Sequence, residues 1–272
     1  MSTTIIIATH KKFRMPDDPV YLPLHVGAEG KTDETGAPLD LGYCKDNTGD
    51  NISDQNPQFC ELTGLYWAWK NLDADHIGLV HYRRYFKGKG SGNDPFDNIL
   101  TGAEIEALIS QYRVIIPKKR HYYIETLYSH YEHAHHIEEL DTAEAILREK
   151  YPEYGPTYDQ VIKNRTWGYM FNMMIMDRAL VDEYCTWLFD ILFELAERLT
   201  GDGLTSFENR FPGRVSERLF NVWLEYQLST GHIRADEVHE VPFIYMEKIN
   251  KLKKGVSFLE AKFMRKKPQK SF

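Results

Sequence analysis

Hydrophobic positions along this chain follow two alternating rhythms, short solid runs and longer stripes at helical spacing. Thr4–Thr9, built around Ile5-Ile6-Ile7, is β-branched almost throughout and predicts a first buried strand. His76–Val80, Arg113–Pro117 and Tyr169–Met176 predict three more, and Val238–Met246 another. Residues 14–55 are rich in Pro, Gly, Asp and Asn without periodicity and predict a long loop. A helix starts at Asn56-Pro57, read as an N-cap followed by proline, and buries Leu62, Leu65, Tyr66 and Trp69. Thr101 and Glu104 form a capping box, and residues 123–150 read as helical with a fresh start over Asp141 to Glu144. Thr157 opens a short helix. Asp177 caps a long one, striped by Val181, Tyr184, Cys185, Leu188, Leu192, Leu195 and Leu199 and ending near Gly201. A last helix runs from Ser216 to Leu228.

Strands alternating with helices define an α/β fold. No repeat or linker divides the chain, so one domain over 1–247 followed by a tail over 248–272 is expected. No apolar run approaches the roughly 18–20 residues that span a bilayer. Met1 to Thr4 lead into Ile5 without a basic flank, unlike a signal peptide. Cys44, Cys60 and Cys185 show no paired spacing, so neither a disulfide framework nor a zinc site is expected, and a reducing cytosol fits. The net charge of −7 conceals a tail of +8 on a remainder of −15. The acidic body argues against nucleic acid as a partner. The tail also holds Phe258, Leu259, Phe263 and Met264, and reads either as a contact for an anionic membrane or as a solvated end. Aromatic residues make up 13% of the chain, a share that serves either sugar and base stacking or the core.

Ligands of open α/β sheets bind beyond the carboxyl ends of the strands. There the first strand delivers His10-Lys11-Lys12, the second His81-Tyr82-Arg83-Arg84 and the third Lys118-Lys119-Arg120-His121. Cations from three neighbouring strand ends suit a diphosphate. The helix start at Asn56 would add an anion-favouring dipole, or is plain capping. Asp73 and Asp75 form a DxD but precede their strand, so they read as turn residues, not metal ligands. No metal ligands are assigned, and magnesium or manganese is disfavoured because the cations at the second strand end could balance a leaving diphosphate instead. His130, His133, His135 and His136 lack HExxH spacing; on a helix His130 and His133 share a face and His135 lies on another, with one or two pointing into a sugar pocket. Glu217, after the Gly/Pro-rich loop Asp202 to Arg214, is read either as a general base or as the acid that complements a helix N-terminus. Asp202 and Glu208 are weaker candidates.

These residues bring a family into view. The chain resembles the single-domain bacterial capsule and O-antigen glycosyltransferases once filed as a domain of unknown function, some of them galactofuranosyltransferases. The matching segments are Ile6-Ile-Ala-Thr-His-Lys11, Asn56-Pro-Gln-Phe-Cys-Glu-Leu-Thr-Gly-Leu-Tyr-Trp-Ala-Trp-Lys-Asn71 and Ile77-Gly-Leu-Val-His-Tyr-Arg-Arg-Tyr-Phe86. Asn172-Met-Met-Ile-Met176, Tyr184-Cys-Thr-Trp-Leu-Phe189 and Arg214-Val-Ser-Glu-Arg-Leu-Phe-Asn221 also match. The resemblance implies a GT-A-like single domain with a mostly parallel central sheet flanked by helices. It implies a UDP-sugar donor and a glycan acceptor that is lipid-linked or growing; the cysteines and the basic tail together point to a cytoplasmic place, at the inner face of the membrane if the tail rests there. By position His10, Lys11, His81, Arg83 and Arg84 fall in the donor site. Asn172, Glu217 and His135 face the transferred sugar and the acceptor. Inverting transfer of galactofuranose, a hexosyltransferase activity, is the specific expectation, and it rests on the family alone. Two rivals stand beside it. One is a metal-dependent hydrolase using the His130–His136 cluster with Asp73, Asp75 or Asp141. The other is a non-catalytic module binding nucleotide or glycan.

Overall fold

A computed structural model describes residues 2–199, 201 and 205–247. The basic tail over 248–272 and Asp202 lie outside the described residues. In chain order the first half contains β1 (Thr3–Thr9), β2 (Tyr21–His25), β3 (Cys44–Lys45), α1 (Asn56–Phe59), α2 (Leu62–Asn71), β4 (His76–His81), β5 (Arg84–Phe86), α3 (Gly102–Ile109) and β6 (Val114–Pro117). There follow β7 (Arg120–His121), α4 (Leu127–Ala134), α5 (Ile137–Lys150), α6 (Gly155–Tyr158), β8 (Trp167–Gly168), β9 (Met174–Asp177), α7 (Arg178–Leu199), α8 (Phe211–Thr230), β10 (Val238–Val241) and β11 (Phe243–Tyr245).

Where the sequence suggests one domain over 1–247, contacts cluster into two compact units. One holds residues up to 118, 171–186 and 233–247; the other holds 119–170 and 187–232. The exchange happens inside packed elements such as α7, so no Gly- or Pro-rich linker marks it in the sequence.

The first unit is the sheet. Its strand order is β10-β6-β9-β4-β1-β2-β3, with β5 pairing β4 and β11. Along that order neighbours are parallel except around β9, which runs antiparallel to both β4 and β6, while β5 is antiparallel to both β4 and β11. Buried on both faces, β1 carries an unbroken apolar run, as parallel central strands do. Ile5 and Ile7 join a core with Tyr21, Tyr85 and Ile105. Ile6 points the other way, to α2, where a Cβ on Gly64 would meet Val26 at 2.8 Å and Ile6 at 3.4 Å. Only glycine lets this helix lie so close to the sheet.

Several predicted elements shift. β2 and β3 lie inside the expected long loop; Pro23 within β2 lacks an N–H and hides the strand. Asn56 is the first residue of a four-residue helix rather than its cap, and the helix breaks at Cys60, whose φ is +53°. The Asn56 amide bridges that break by donating to the Cys60 carbonyl at 2.7 Å and to Thr63 Oγ1 at 3.1 Å. So short a helix provides no dipole site for an anion. Only the last part of the predicted strand Tyr169–Met176 is extended, as β9, because Phe171 (φ +83°) and Asn172 (φ +52°) are left-handed and turn the chain between β8 and β9. Asp141 does not restart a helix; it lies within α5 and accepts from the Tyr128 hydroxyl at 2.9 Å. Asp177 does cap α7, accepting from Leu180 N at 2.9 Å.

The second unit is helical. Tyr154 lies between Trp187 and Tyr226, with ring centroids 5.1 and 3.8 Å away. Glu139 is buried; Arg214 Nη2 donates to it at 3.0 Å and the Tyr131 hydroxyl to the same carboxylate. Among the described residues no helix is long and apolar enough to cross a membrane.

The irregular segment 26–55 is held by one buried carboxylate. Asp46 accepts from the backbone N–H of Gly27 (2.8 Å) and Ala28 (3.1 Å), from Thr63 Oγ1 (2.7 Å) and from the Ser53 hydroxyl. In Asp46→Ala the two backbone donors cannot turn away, and unsatisfied buried groups cost roughly 1–3 kcal/mol each. The expected loss of about 3 kcal/mol is read from the urea unfolding midpoint; an unchanged midpoint would show that water replaces the carboxylate.

Candidate functional site

The carboxyl ends of β1 and β4 lie side by side, as their parallel register requires. Their cations meet around the buried ring of Tyr82. Lys11 Nζ lies 5.2 Å from its centroid and the Arg83 guanidinium 5.1 Å, while the His10 ring meets it edge-on at 5.4 Å. His10, Lys11 and Arg83 are exposed. Arg83 faces Glu247 at 3.6 Å in an exposed pair that contributes little. Lys12 turns away, donating to the Leu41 carbonyl at 2.7 Å.

Arg84 is held differently. Its guanidinium stacks 3.7 Å from the Phe171 centroid and 4.9 Å from that of Tyr245. Its Nε is buried without a hydrogen-bond partner, and among the described residues no carboxylate pairs with it. Pairing of β5 with β11 places Arg84 opposite Tyr245, so the sheet supplies one of the two rings. A cation fixed on aromatic faces and lacking a counter-charge is prepared for an anion.

The left-handed turn before β9 supplies the rest. His81 Nε2 donates to the Phe171 carbonyl at 2.6 Å, because a carbonyl can only accept. Burial lowers the His81 pKa; Glu61 opposes this and Arg84 adds to it. Buried Asn172 donates through Nδ2 to Glu61 Oε1 at 2.8 Å. His81, Arg84, Asn172 and Glu61 thus form one constellation from β4, β5, the β9 turn and the start of α2. Glu61 was not singled out from the sequence; its only signal was its place in the segment Asn56–Asn71.

Other expectations change. The third strand end does not neighbour the second, because β9 lies between β4 and β6. Lys119 and Arg120 belong to the helical unit, resting on Trp167 (4.6 Å) and Tyr122 (5.3 Å). Asp75 immediately precedes β4 and accepts from Ser2 N at 2.7 Å, so the DxD stands at the edge away from His81.

The four histidines do not share one helix, since α4 ends at His135 and α5 is capped at His136. His133 donates to buried Glu125 at 3.0 Å. His136 lies 3.0 Å from Glu208, whose pKa is pushed down to about 2, first by the Thr205 hydroxyl and then by the Thr205 N–H and His136. Such a carboxylate is a weak base. His130 leans on Tyr122 at 4.1 Å, and His135 lies 4.9 Å from Tyr131; each has a buried Nδ1 with no hydrogen-bond partner. Among the described residues no group of three His, Cys, Asp or Glu is placed to hold a metal ion.

Glu217 also moves. α8 begins at Phe211, so Glu217 lies in its second turn and does not cap it, and Phe211 to Arg214 are helix rather than loop. Its Oε2 receives a hydrogen bond from Arg218 Nη1 at 2.8 Å, and Arg218 is itself buried. A separate cavity of about 460 Å³ between α3 and β10 is lined mainly by aliphatic atoms, among them Leu100, Leu108 and Val241, and shares no residue with the Arg84 constellation.

A mostly parallel sheet with helices on both faces and cations at the strand ends is GT-A-like. Residues 4–228 match the family described as "Domain of unknown function (DUF4422)", and the chain belongs to that family. A solved apo structure of WbbM, a bifunctional glycosyltransferase, is similar to it with a TM-score of 0.80 and 30% sequence identity, over 91% of this chain and 46% of that one. The chain therefore spans about half the length of that protein. Among curated proteins none matches.

The two unpartnered histidines make stability depend on pH. Burial, with Arg218 and Arg120 for His130 and with Arg214 and Arg218 for His135, pushes their pKa values down to about 3 and about 2, against 6.5 in the unfolded chain. Between these limits the unfolded state holds more protons, so their contribution is present above pH 6.5 and lost on acidification. Each should cost about 1.4 kcal/mol per pH unit below 6.5. In His130→Gln the fall in urea midpoint between pH 7 and 5 should be shallower by one proton; the wild-type slope retained would show that His130 does not titrate alone.

Proposed function

We propose that the chain is a glycosyltransferase that moves a hexose from a UDP-sugar to a growing surface polysaccharide or lipid-linked glycan. Galactofuranose with inversion is the assignment favoured, resting on the family resemblance. The observation that carries the reading is Arg84, stacked on Phe171 and Tyr245 without a counter-charge, beside the Lys11 and Arg83 cations of the adjoining strand ends. Kinship with the DUF4422 family and likeness to WbbM support it.

In this reading His10, Lys11, His81, Arg83 and Arg84 receive the UDP diphosphate, and Asn172 faces the transferred sugar, with His135 toward the acceptor. The acceptor hydroxyl gives its proton to Glu217, its oxygen bonds to the anomeric carbon, and the bond from that carbon to the diphosphate oxygen breaks. The departing UDP takes that electron pair, and fixed cations stabilise the charge it gains. Magnesium or manganese is disfavoured in this reading, because the β4 end presents His81 and Arg84, which suits charge balance by fixed cations. The Asn172–Glu61 hydrogen bond favours one second reading, in which Glu61 takes the proton.

A thermal-shift panel tests the donor. UDP should raise the midpoint where GDP, CMP and ADP do not, and excess EDTA should leave transfer intact. Transfer abolished by EDTA and restored by manganese would replace the arginines with a metal, and turnover without acceptor would indicate a hydrolase. Arg84→Ala should weaken UDP binding about tenfold to a hundredfold in calorimetry, the loss of one charge-assisted contact; unchanged affinity removes Arg84 from the donor site. Glu217→Gln should lower kcat about a hundredfold with UDP affinity unchanged. Near-normal turnover there, with loss in Glu61→Gln, would move the base to Glu61.

A further inference from the structure

The β7–β8 ribbon carries a feature that the transfer reaction does not use. Tyr123 and Ile124, adjacent in the chain, are 84% and 80% exposed, the large hydrophobic side chains most open to solvent among the described residues. The turn that presents them is held on both sides. Tyr122 N donates to the Thr166 carbonyl at 2.8 Å, Leu127 N donates to the Arg165 carbonyl at 3.0 Å, and a capping box at Thr126 starts α4. Tyr123 itself is left-handed, with φ +61°. The run Lys118-Lys119-Arg120-His121 leads into the turn with three cations and no acid, on a body that is otherwise strongly acidic. Arg120 and His121 are exposed, and the nearest acid in the chain, Glu125, is buried against His133.

We propose that the Tyr123–Ile124 tip is a membrane-docking element that enters the interface of an anionic bilayer. An amphipathic aromatic ring beside an aliphatic side chain favours the boundary between headgroups and acyl chains. The adjacent cations supply the charge complement to anionic lipid, which the acidic remainder of the body would oppose. Ile124 offers a glycan neither a ring face nor a hydrogen bond, so the pair suits hydrocarbon better than sugar. Two side chains and a few charges give reversible, salt-sensitive binding that needs both contributions.

The test is co-flotation of the full chain with vesicles of phosphatidylcholine alone or in equal mixture with phosphatidylglycerol. The wild type should float with the mixture and not with phosphatidylcholine. Tyr123→Ser/Ile124→Ser should bind the mixture at least about fivefold more weakly, with an unchanged melting midpoint because both side chains are exposed. In Tyr123→Trp, brominated acyl chains should quench the added emission, which a tail bound only at the headgroups would not reproduce. Failure of the wild type to float, or equal flotation of the double variant, overturns the proposal. So does a dimer in light scattering that the double variant abolishes without any vesicle binding, since the tip would then be a protein interface.

Discussion

Two consecutive left-handed residues, Phe171 and Asn172, organise the candidate site. An aromatic side chain in that region of backbone space costs energy and persists only where its surroundings repay it. Here the repayment is visible: His81 donates to the Phe171 carbonyl, Arg84 stacks on the Phe171 ring, and Asn172 donates to Glu61. The turn also lets the chain enter β9 antiparallel to β4 and β6. One local strain therefore sets both the entry into β9 and the placement of polar groups from three other elements.

The electrostatic character of the site follows from that placement. Many cations among the described residues are offset by nearby acids, as Arg198 is by Glu149 and Glu194. Arg84 is not; aromatic faces hold it while its Nε stays buried and unsatisfied. A charge kept partly out of water without a partner is costly to stability, and a ligand anion recovers that cost. His81, held neutral mainly by burial, adds a fixed hydrogen-bonding ring without a competing charge.

Much of this was legible in one dimension because some residue patterns admit few structures. An unbroken β-branched run such as Ile5-Ile6-Ile7 suits a strand covered on both faces, and Thr101 with Glu104 closes a capping box in any context. β2 is illegible because Pro23 interrupts the short apolar run Val20 to Val26 inside a stretch rich in Pro, Gly and Asp; pairing with β1 imposes the extended form. The start of α8 is hidden in the sequence because Phe211 and Pro212 follow a polar stretch, and it places Glu217 in the second turn rather than at a helix end. Glu61 was missed because its role depends on Asn172, more than a hundred residues away.

The chain's own chemistry determined the α/β alternation, the basic ends of β1 and β4, and the position of Asp73 and Asp75 ahead of their strand. These are local: each depends on residues within a few positions of one another. Tertiary structure alone decided that β9 separates β4 from β6, so that the basic end of β6 is not beside that of β4. It also decided that the four histidines disperse, His133 to Glu125 and His136 to Glu208 while His130 and His135 stay unpartnered. Strand order and side-chain partnership are set by which distant surfaces bury one another, and that information is absent from the spacing of residues along the chain.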